Sequence, residues 1–386
     1  LQTPAASGPR PSGGLVMHKG LSYAEDVRLN YDPEKPQARF LDAHADLVEA
    51  QATLPKQVPW PAGLTPTPVP LNPAPAETDS LARFAGYDAI VITYTSAEAA
   101  ALAALFTPGY PVSSWYEYRY DIAAYIPIVT GKDAPFNATE KEDARYYHSL
   151  GLYFACTIGG KKVLLVKSGL HLDYDQASPG GVVPVQKMVT EMVEAVQPKI
   201  LITTGTGGAI GNDVSLGDIV IAGHTLFDCT AQFKAQTWHA ASYKTTPASA
   251  KALALITPAL TGVNGATIAA AKPIAGRAVP KVSSGSKATI VTTDVFAFDT
   301  SSNQPYGLQG KGQACDMGDA MVGLSMQAFP NIDWYAIRNA SDPQIPEPAG
   351  TTYAEADKEA GNIYRDYGAF TTAGSAIAAW AVIAAS

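Results

Sequence analysis

The sequence predicts an α/β fold, and three features carry that prediction. Short apolar runs without polar alternation, such as "AIVIT" and "KILITT", have the form of strands buried on both faces. Between them stand stretches with helical periodicity or an Ala/Leu-rich composition, the alternation from which α/β sheets are built. At 386 residues and 47% hydrophobic content, the chain is long enough to enclose such a sheet in a full core.

Residues 1–85 are expected to form a Pro-rich extension or linker. In "QVPWPAGLTPTPVPLNPAPAETDS" the repeated Pro removes backbone donors and fixes φ against helix and inner strand. The domain proper spans 86–386. It opens with "YDAIVITYTSAEAAALAALF", a strand running into a helix capped by Thr95 or Ser96. Residues 107–150 read as an insertion passing over the surface. "LYFACTIGGKKVLLVKSG" predicts a strand pair about a Gly-Gly turn, and "VVPVQKMVTEMVEAVQP" an amphipathic helix stopped by Pro198. Strands follow at "KILITTG", "GDIVIAG", "KATIVTT" and "DWYAIR", with helices at "SAKALALITPAL" and "DAMVGLSMQAF". The tail "GAFTTAGSAIAAWAVIAAS" is apolar but built from small residues, so a tightly packed closing helix is expected there rather than a membrane span.

A formal net charge of −8 argues against nucleic acid or an anionic membrane as the main partner, since both need a dense positive field. A small molecule is the expected ligand. Cys156, Cys229 and Cys315 form no CxxC pair, so neither a zinc site nor a disulfide framework is signalled, and reduced buried thiols are expected. The opening "LQTPAASGPRPSGG" lacks the charged start and apolar core of a signal peptide. A cytoplasmic location is the expectation, with secretion after removal of a leader as the alternative.

The chemistry is concentrated around "ITTGTGGAIGNDVSLGDIVIAGH", a knot of glycines between two β-like runs. A dinucleotide fingerprint would need a third glycine at Ile210, and a phosphate-cradling P-loop would need a Lys; neither is present. Together with its neighbours the segment resembles the nucleoside phosphorylase and nucleosidase superfamily, which includes the purine nucleoside phosphorylases and the methylthioadenosine/S-adenosylhomocysteine nucleosidases. In that family a strand ends in a Thr-Gly-Ser/Thr-small-Gly turn, followed shortly by Leu-Gly-Asp. The other family blocks occur in order: "AIVITYTSAEAAALAALF", "VLLVKSGL", "TDVFAFD", "CDMGDAMVGLSMQAF" and "WYAIRNASDPQ".

This resemblance implies a three-layer α/β/α sandwich around a mixed twisted sheet, a homo-oligomer, no metal or organic cofactor, and a small-molecule nucleoside substrate. It implies that Thr206, Gly207 and Gly208 lie against the nucleobase and sugar. Asp342 would protonate the purine N7, with Arg338 and Ser341 holding and tuning it. The Arg residues with which phosphorylases bind phosphate are missing, while Glu98 stands where hydrolytic members activate water. That pattern favours a purine nucleosidase, with a phosphorylase of the same fold as the alternative. Phe296 would stack on the base, Met317 would pack on the ribose, and Phe233 would stand on the sugar side. The family's ribose-gripping Glu is replaced by Gly318; Asp319 could supply the carboxylate, as could Asp316. If nothing replaces that Glu, an inactive nucleoside-binding or storage protein results. His171 in "SGLHLDYD" is left without a role.

Overall fold

A computed structural model describes residues 58–129, 150–170, 184–231, 233–261, 265–295 and 297–386. Phe296 and His171 lie outside the described residues.

One mixed sheet runs through the molecule. Its main path is β1 (Thr67–Pro68), β4 (Gly151–Ile158), β5 (Lys161–Ser168), β2 (Ala89–Thr93), β6 (Ile200–Ala209), β12 (Ala314–Asp316), β11 (Thr289–Thr292), β8 (His224–Phe227) and β9 (Ser242–Lys244). Off this path, β3 (Tyr116–Tyr118) pairs with β4, β13 (Asp333–Asp342) with β6 and β7 (Ile219–Ile221), and β10 (Val282–Ser283) with β7.

Successive side chains of the central strands point to opposite faces, and both faces are apolar. Ile90, Ile92, Leu164, Val166 and Leu201 pack on helix Pro184–Val196 and helix Asp319–Met326. Ala89, Val91, Val163, Leu165 and Ile202 pack on helix Ser96–Phe106, helix Ala250–Leu260 and the C-terminal helix Tyr353–Ala385. Helices on both faces of a mixed sheet are the α/β architecture the sequence predicted.

The β4–β5 hairpin turns at Gly159 and Gly160, both at positive φ (57° and 80°), as a right-twisted two-residue turn requires. The small residues of the tail are buried: Ala373, Ala376, Ala379 and Trp380 are all at 0% exposure. No single helix among the described residues is long and apolar enough to cross a membrane.

Three stretches differ from their sequence expectations. The described part of the Pro-rich extension is extended, but it packs on the domain: β1 adds to the sheet beside β4, Trp60 meets Trp380 at 4.6 Å, and Leu81 and Phe84 are buried. The described part of residues 107–150 is not a surface excursion. Its aromatics draw it inward, with Trp115, Tyr118 and Tyr125 buried and Tyr116 stacked on Phe154 at 5.4 Å.

The glycine knot, in turn, is not a turn between strands. β6 runs unbroken through "ILITTGTGGA". Glycine serves there because other atoms occupy the space a Cβ would need. At Gly205 that space holds the Glu98 carboxyl group; at Gly207 it holds the Cys315 carbonyl oxygen, 2.9 Å from where a Cβ would stand.

Candidate active site

The second half of β6 organises the site. One edge of β6 pairs with β13 along nearly its whole length. Its other edge pairs with β2 as far as Thr203 and with β12 from Gly208 onward. Between those two partners the backbone at Thr204–Gly207 is open, and Glu98 enters the gap.

Glu98 comes from the first turn of helix Ser96–Phe106, where it completes a capping box with Thr95. The side chain is 1% exposed, and five donors surround its carboxylate. Thr93 Oγ1 and the backbone N–H groups of Tyr94 and Thr95 donate to Oε2, each at 2.8 Å. The backbone N–H and the hydroxyl of Thr206 donate to Oε1, each at 2.7 Å. Burial pushes the Glu98 pKa up, but Arg338, 3.8 Å away, and these donors outweigh it, so the group is held below its ordinary value and ionised.

Arg338 stands opposite Gly205 on β13 and is 3% exposed. Its guanidinium does not reach toward Asp342, as the sequence had suggested. Nε donates to Asp319 Oδ2 at 2.8 Å, Nη2 to Asp319 Oδ1 at 2.5 Å, and Nη1 to the Thr206 carbonyl at 3.3 Å. Asp316 Oδ2 lies 3.1 Å from Nη2, and the Tyr94 ring lies beneath the guanidinium at 5.4 Å. The cation therefore belongs to the side of the site that holds Glu98.

Asp319 is the first residue of its helix, after the N-cap Gly318, and is wholly buried. Both of its oxygens face Arg338, which leaves neither directed at a sugar hydroxyl. Asp316 accepts from Thr292 Oγ1 (2.5 Å) and from the backbone N–H groups of Gly318 (3.1 Å) and Asp319 (2.7 Å). Burial and then the negative charge of Asp319 push its pKa up. A side chain at position 318 would crowd Tyr94, whose ring carbon and hydroxyl lie 3.3 Å from the place of a Cβ. Tyr94 thus fills the volume in front of Gly318. Met317 beside it is half-buried.

Asp342 closes β13. The β6–β13 register slips between Ala340 and Asp342, a bulge that re-aims the strand end and sets Asp342 opposite Gly208. Its Oδ2 lies 3.3 Å from where a Gly208 Cβ would stand. Ser341 Oγ donates to Oδ1 at 2.6 Å. Burial, only partly offset by that bond, raises the pKa of Asp342 to about 7.

Phe233 is 1% exposed in the core against Trp238, with ring centroids 5.3 Å apart, so its side chain is part of the packing. Its backbone N–H donates to Asp294 at 2.8 Å, as do those of Thr230 at 3.0 Å and Ala231 at 3.1 Å. Asp294 thereby ties this loop to the segment that carries Phe296.

Three site residues escaped the sequence reading. Tyr94, just after β2, underlies the Arg338 guanidinium. Lys167, paired in register with Thr93, is 6% exposed; burial lowers its amine to about 8, against the opposing pull of Glu98. Tyr364, from the C-terminal helix, donates to Thr95 Oγ1 at 3.1 Å. A charged residue at the carboxyl end of a strand was a readable signal for Lys167. Tyr364 is 269 residues from Thr95 in sequence and had none.

The sequence profile of the Phosphorylase superfamily matches residues 121–367, more than half of the chain. The chain belongs to this superfamily. No curated protein matches it.

Among solved structures, the chain is similar to 5′-methylthioadenosine/S-adenosylhomocysteine nucleosidase from Helicobacter pylori, at 15% identity and a TM-score of 0.45 over 77% of this chain and 98% of that one. The same enzyme from Neisseria meningitidis is 14% identical, with a TM-score of 0.43 over 77% and 99%. Futalosine hydrolase of Helicobacter pylori is 14% identical, with a TM-score of 0.45 over 77% and 97%.

Proposed function

We propose that this member of the superfamily is a purine nucleosidase that cleaves the N-glycosidic bond with water. One observation carries the reading: two carboxyl groups flank the Thr206–Gly208 backbone, and their environments drive their protonation apart. Five donors and Arg338 hold Glu98 ionised, while burial holds Asp342 near neutrality. A pair split in this way supplies an acid and a base at one pH.

In the proposed reaction, Asp342 transfers its proton to N7 of the purine as the C1′–N9 bond breaks, and the bonding electron pair leaves with the base. Water adds to the cationic C1′ from the opposite face, and its proton passes to Glu98. The products are free base and free sugar. Ser341 orients Asp342. Arg338, held by Asp319 and Asp316, keeps Glu98 ionised until the proton arrives. Thr206, Gly207 and Gly208 form the strand against which the nucleoside lies, Met317 borders the sugar, and Phe296 covers the base.

Phosphorolysis is a second reading, favoured by one feature. Lys167 places a buried amine near Glu98, a cation that the sequence pattern of phosphate-binding Arg residues did not anticipate.

The test is base release from a panel of purine nucleosides, with and without phosphate. Phosphate-free release with free sugar as product is expected; strict phosphate dependence with a sugar 1-phosphate product would sink the hydrolase and support the second reading. Asp342→Asn should lower turnover by roughly 10²–10⁴-fold and spare substrates with good leaving groups. Glu98→Gln should slow all substrates alike. A Glu98→Gln variant with near-normal turnover would reduce Glu98 to a helix cap.

A further inference from the structure

Buried polar groups are normally hydrogen-bonded, and an exception calls for an explanation. Asn339, whose Nδ2 has no partner, still accepts the Ser375 hydroxyl through Oδ1 at 2.6 Å. Gln344 differs. It is 8% exposed, and among the described residues it alone has both ends of its amide, Oε1 and Nε2, buried without a hydrogen-bond partner. A primary amide carries two N–H donors and two acceptor lone pairs, so Gln344 brings an unused donor and an unused acceptor into the interior, which opposes folding unless something pairs with them.

Its position says what that partner is. Gln344 lies two residues beyond Asp342, with only the buried Pro343 between them. Proline keeps the residue before it extended, so the chain leaves β13 without coiling away from the site. The next residue is fixed as well: the Ile345 carbonyl accepts the N–H of Ser301 at 3.2 Å and its hydroxyl at 2.8 Å. Gln344 is thereby held between the end of β13, where Asp342 stands opposite Gly208, and the segment at Ser301 that continues the stretch carrying Phe296. The proposed reading places the base between these same elements.

On a purine, N7 and the substituent at C6 share one edge. A base whose N7 meets Asp342 therefore presents its C6 substituent to a group standing beside that acid. An amide suits either kind of substituent: Nε2–H donates to a 6-oxo group, and Oε1 accepts from a 6-amino group. Neither end is tied to another residue, so a half-turn of the amide exchanges the two, and their near-equal size leaves the packing unchanged.

We infer that Gln344 is a specificity-determining residue of the site: its amide takes the C6 substituent of the purine and, by turning over, accepts 6-amino and 6-oxo purines alike. The inference rests on Asp342 meeting N7 in a purine nucleosidase and adds which purines that site takes.

Gln344→Met keeps the length of the side chain and removes the amide. Since that amide has no partner in the protein, the variant should have a Tm no lower than the wild type. The probes are adenosine (6-amino), inosine (6-oxo) and purine riboside, which carries only hydrogen at C6. Wild-type kcat/KM for adenosine and inosine should lie within about tenfold of each other, because the amide pairs with either. In Gln344→Met both should fall about tenfold or more relative to purine riboside, since a site built to hold a polar group discriminates strongly through it. A glutamine that served only the fold would lower all three together. Equal loss on the three nucleosides, with or without a lowered Tm, overturns the inference while the nucleosidase reading stands. So does wild-type activity on all three in Gln344→Met, or a wild-type chain confined to one of the two purine classes. A wild-type chain that releases no base from any purine nucleoside overturns that reading, and the inference with it.

Discussion

Arg338 meets three carboxylates in the interior, and how it is shared among them decides what each acid can do. Asp319 takes the forked, two-bond arrangement, Asp316 shares one nitrogen, and Glu98 is reached at 3.8 Å. A guanidinium in this position is neutralised chiefly by Asp319, so that acid supports the site through Arg338. Asp319→Ala would leave the guanidinium short of its closest counter-charge in a place water does not reach. Breaking a buried pair in this way costs about 3–5 kcal/mol. Urea unfolding should show a loss of that size. Unchanged stability together with an altered preference between ribosides and 2′-deoxyribosides would return Asp319 to the sugar-binding role read from the sequence. Gly318 has a related logic. With the Tyr94 ring and hydroxyl 3.3 Å from the position of a Cβ, any side chain restored there requires the buried Tyr94 ring to give way by a few tenths of an ångström.

At the scale of elements, the site depends on loops anchored by single carboxylates to backbone amides. Asp218, of the Leu-Gly-Asp motif, accepts from the N–H groups of Ser215 at 2.9 Å and Lys281 at 2.7 Å, and pairs with Arg277 at 3.1 Å. Asp294 likewise accepts from the N–H groups of Thr230, Ala231 and Phe233. Hydrogen bonds to a charged acceptor contribute about 1.5–3 kcal/mol each, and part of that is recovered from water once they break. Asp294→Ala should therefore free the 230–233 loop before the sheet is affected. Hydrogen exchange should rise at Thr230, Ala231 and Phe233 and stay unchanged in β6 and β13. Equal protection in the variant would mean that the Phe233 and Trp238 packing alone holds the loop.

At the scale of the molecule, the buried acids make stability depend on pH in a definite direction. Asp342 has an ordinary value of 3.8 and a folded value of about 7, and Asp316 is also shifted upward. A group whose folded pKa is raised binds a proton more tightly in the folded state, so its favourable contribution is complete below pH 3.8. It is lost as pH rises through the interval up to about 7. Within that interval each such group tilts the stability curve downward by up to about 1.4 kcal/mol per pH unit. Thermal unfolding should therefore show a fall in Tm between pH 5 and pH 7 that is shallower in Asp342→Asn. The rate should follow the same proton: kcat/KM is expected to decline above about pH 7, where Asp342 loses it. A Tm profile identical in wild type and Asp342→Asn would mean that Asp342 is not buried as an acid.

The sequence by itself determined the α/β class, the order of the central elements, the packed tail and the family. Each of these rests on local pattern: strand runs too apolar for one-sided burial, helices with caps and stops, and motif blocks in a fixed order. It also named residues of the site, Glu98, Thr206, Arg338 and Asp342, through the motif blocks that carry them.

Only the tertiary structure decided how those residues are partnered. Strand pairing brings β13 beside β6, and a bulge sets Asp342 against Gly208. The gap between β2 and β12 admits Glu98 to the β6 backbone, so the glycines make room first for the protein's own carboxyl groups. Arg338 turns to Asp319 rather than Asp342, and Tyr364 arrives from the far end of the chain. Burial and contact across hundreds of residues set these outcomes, and neither has a periodicity that a linear pattern can carry.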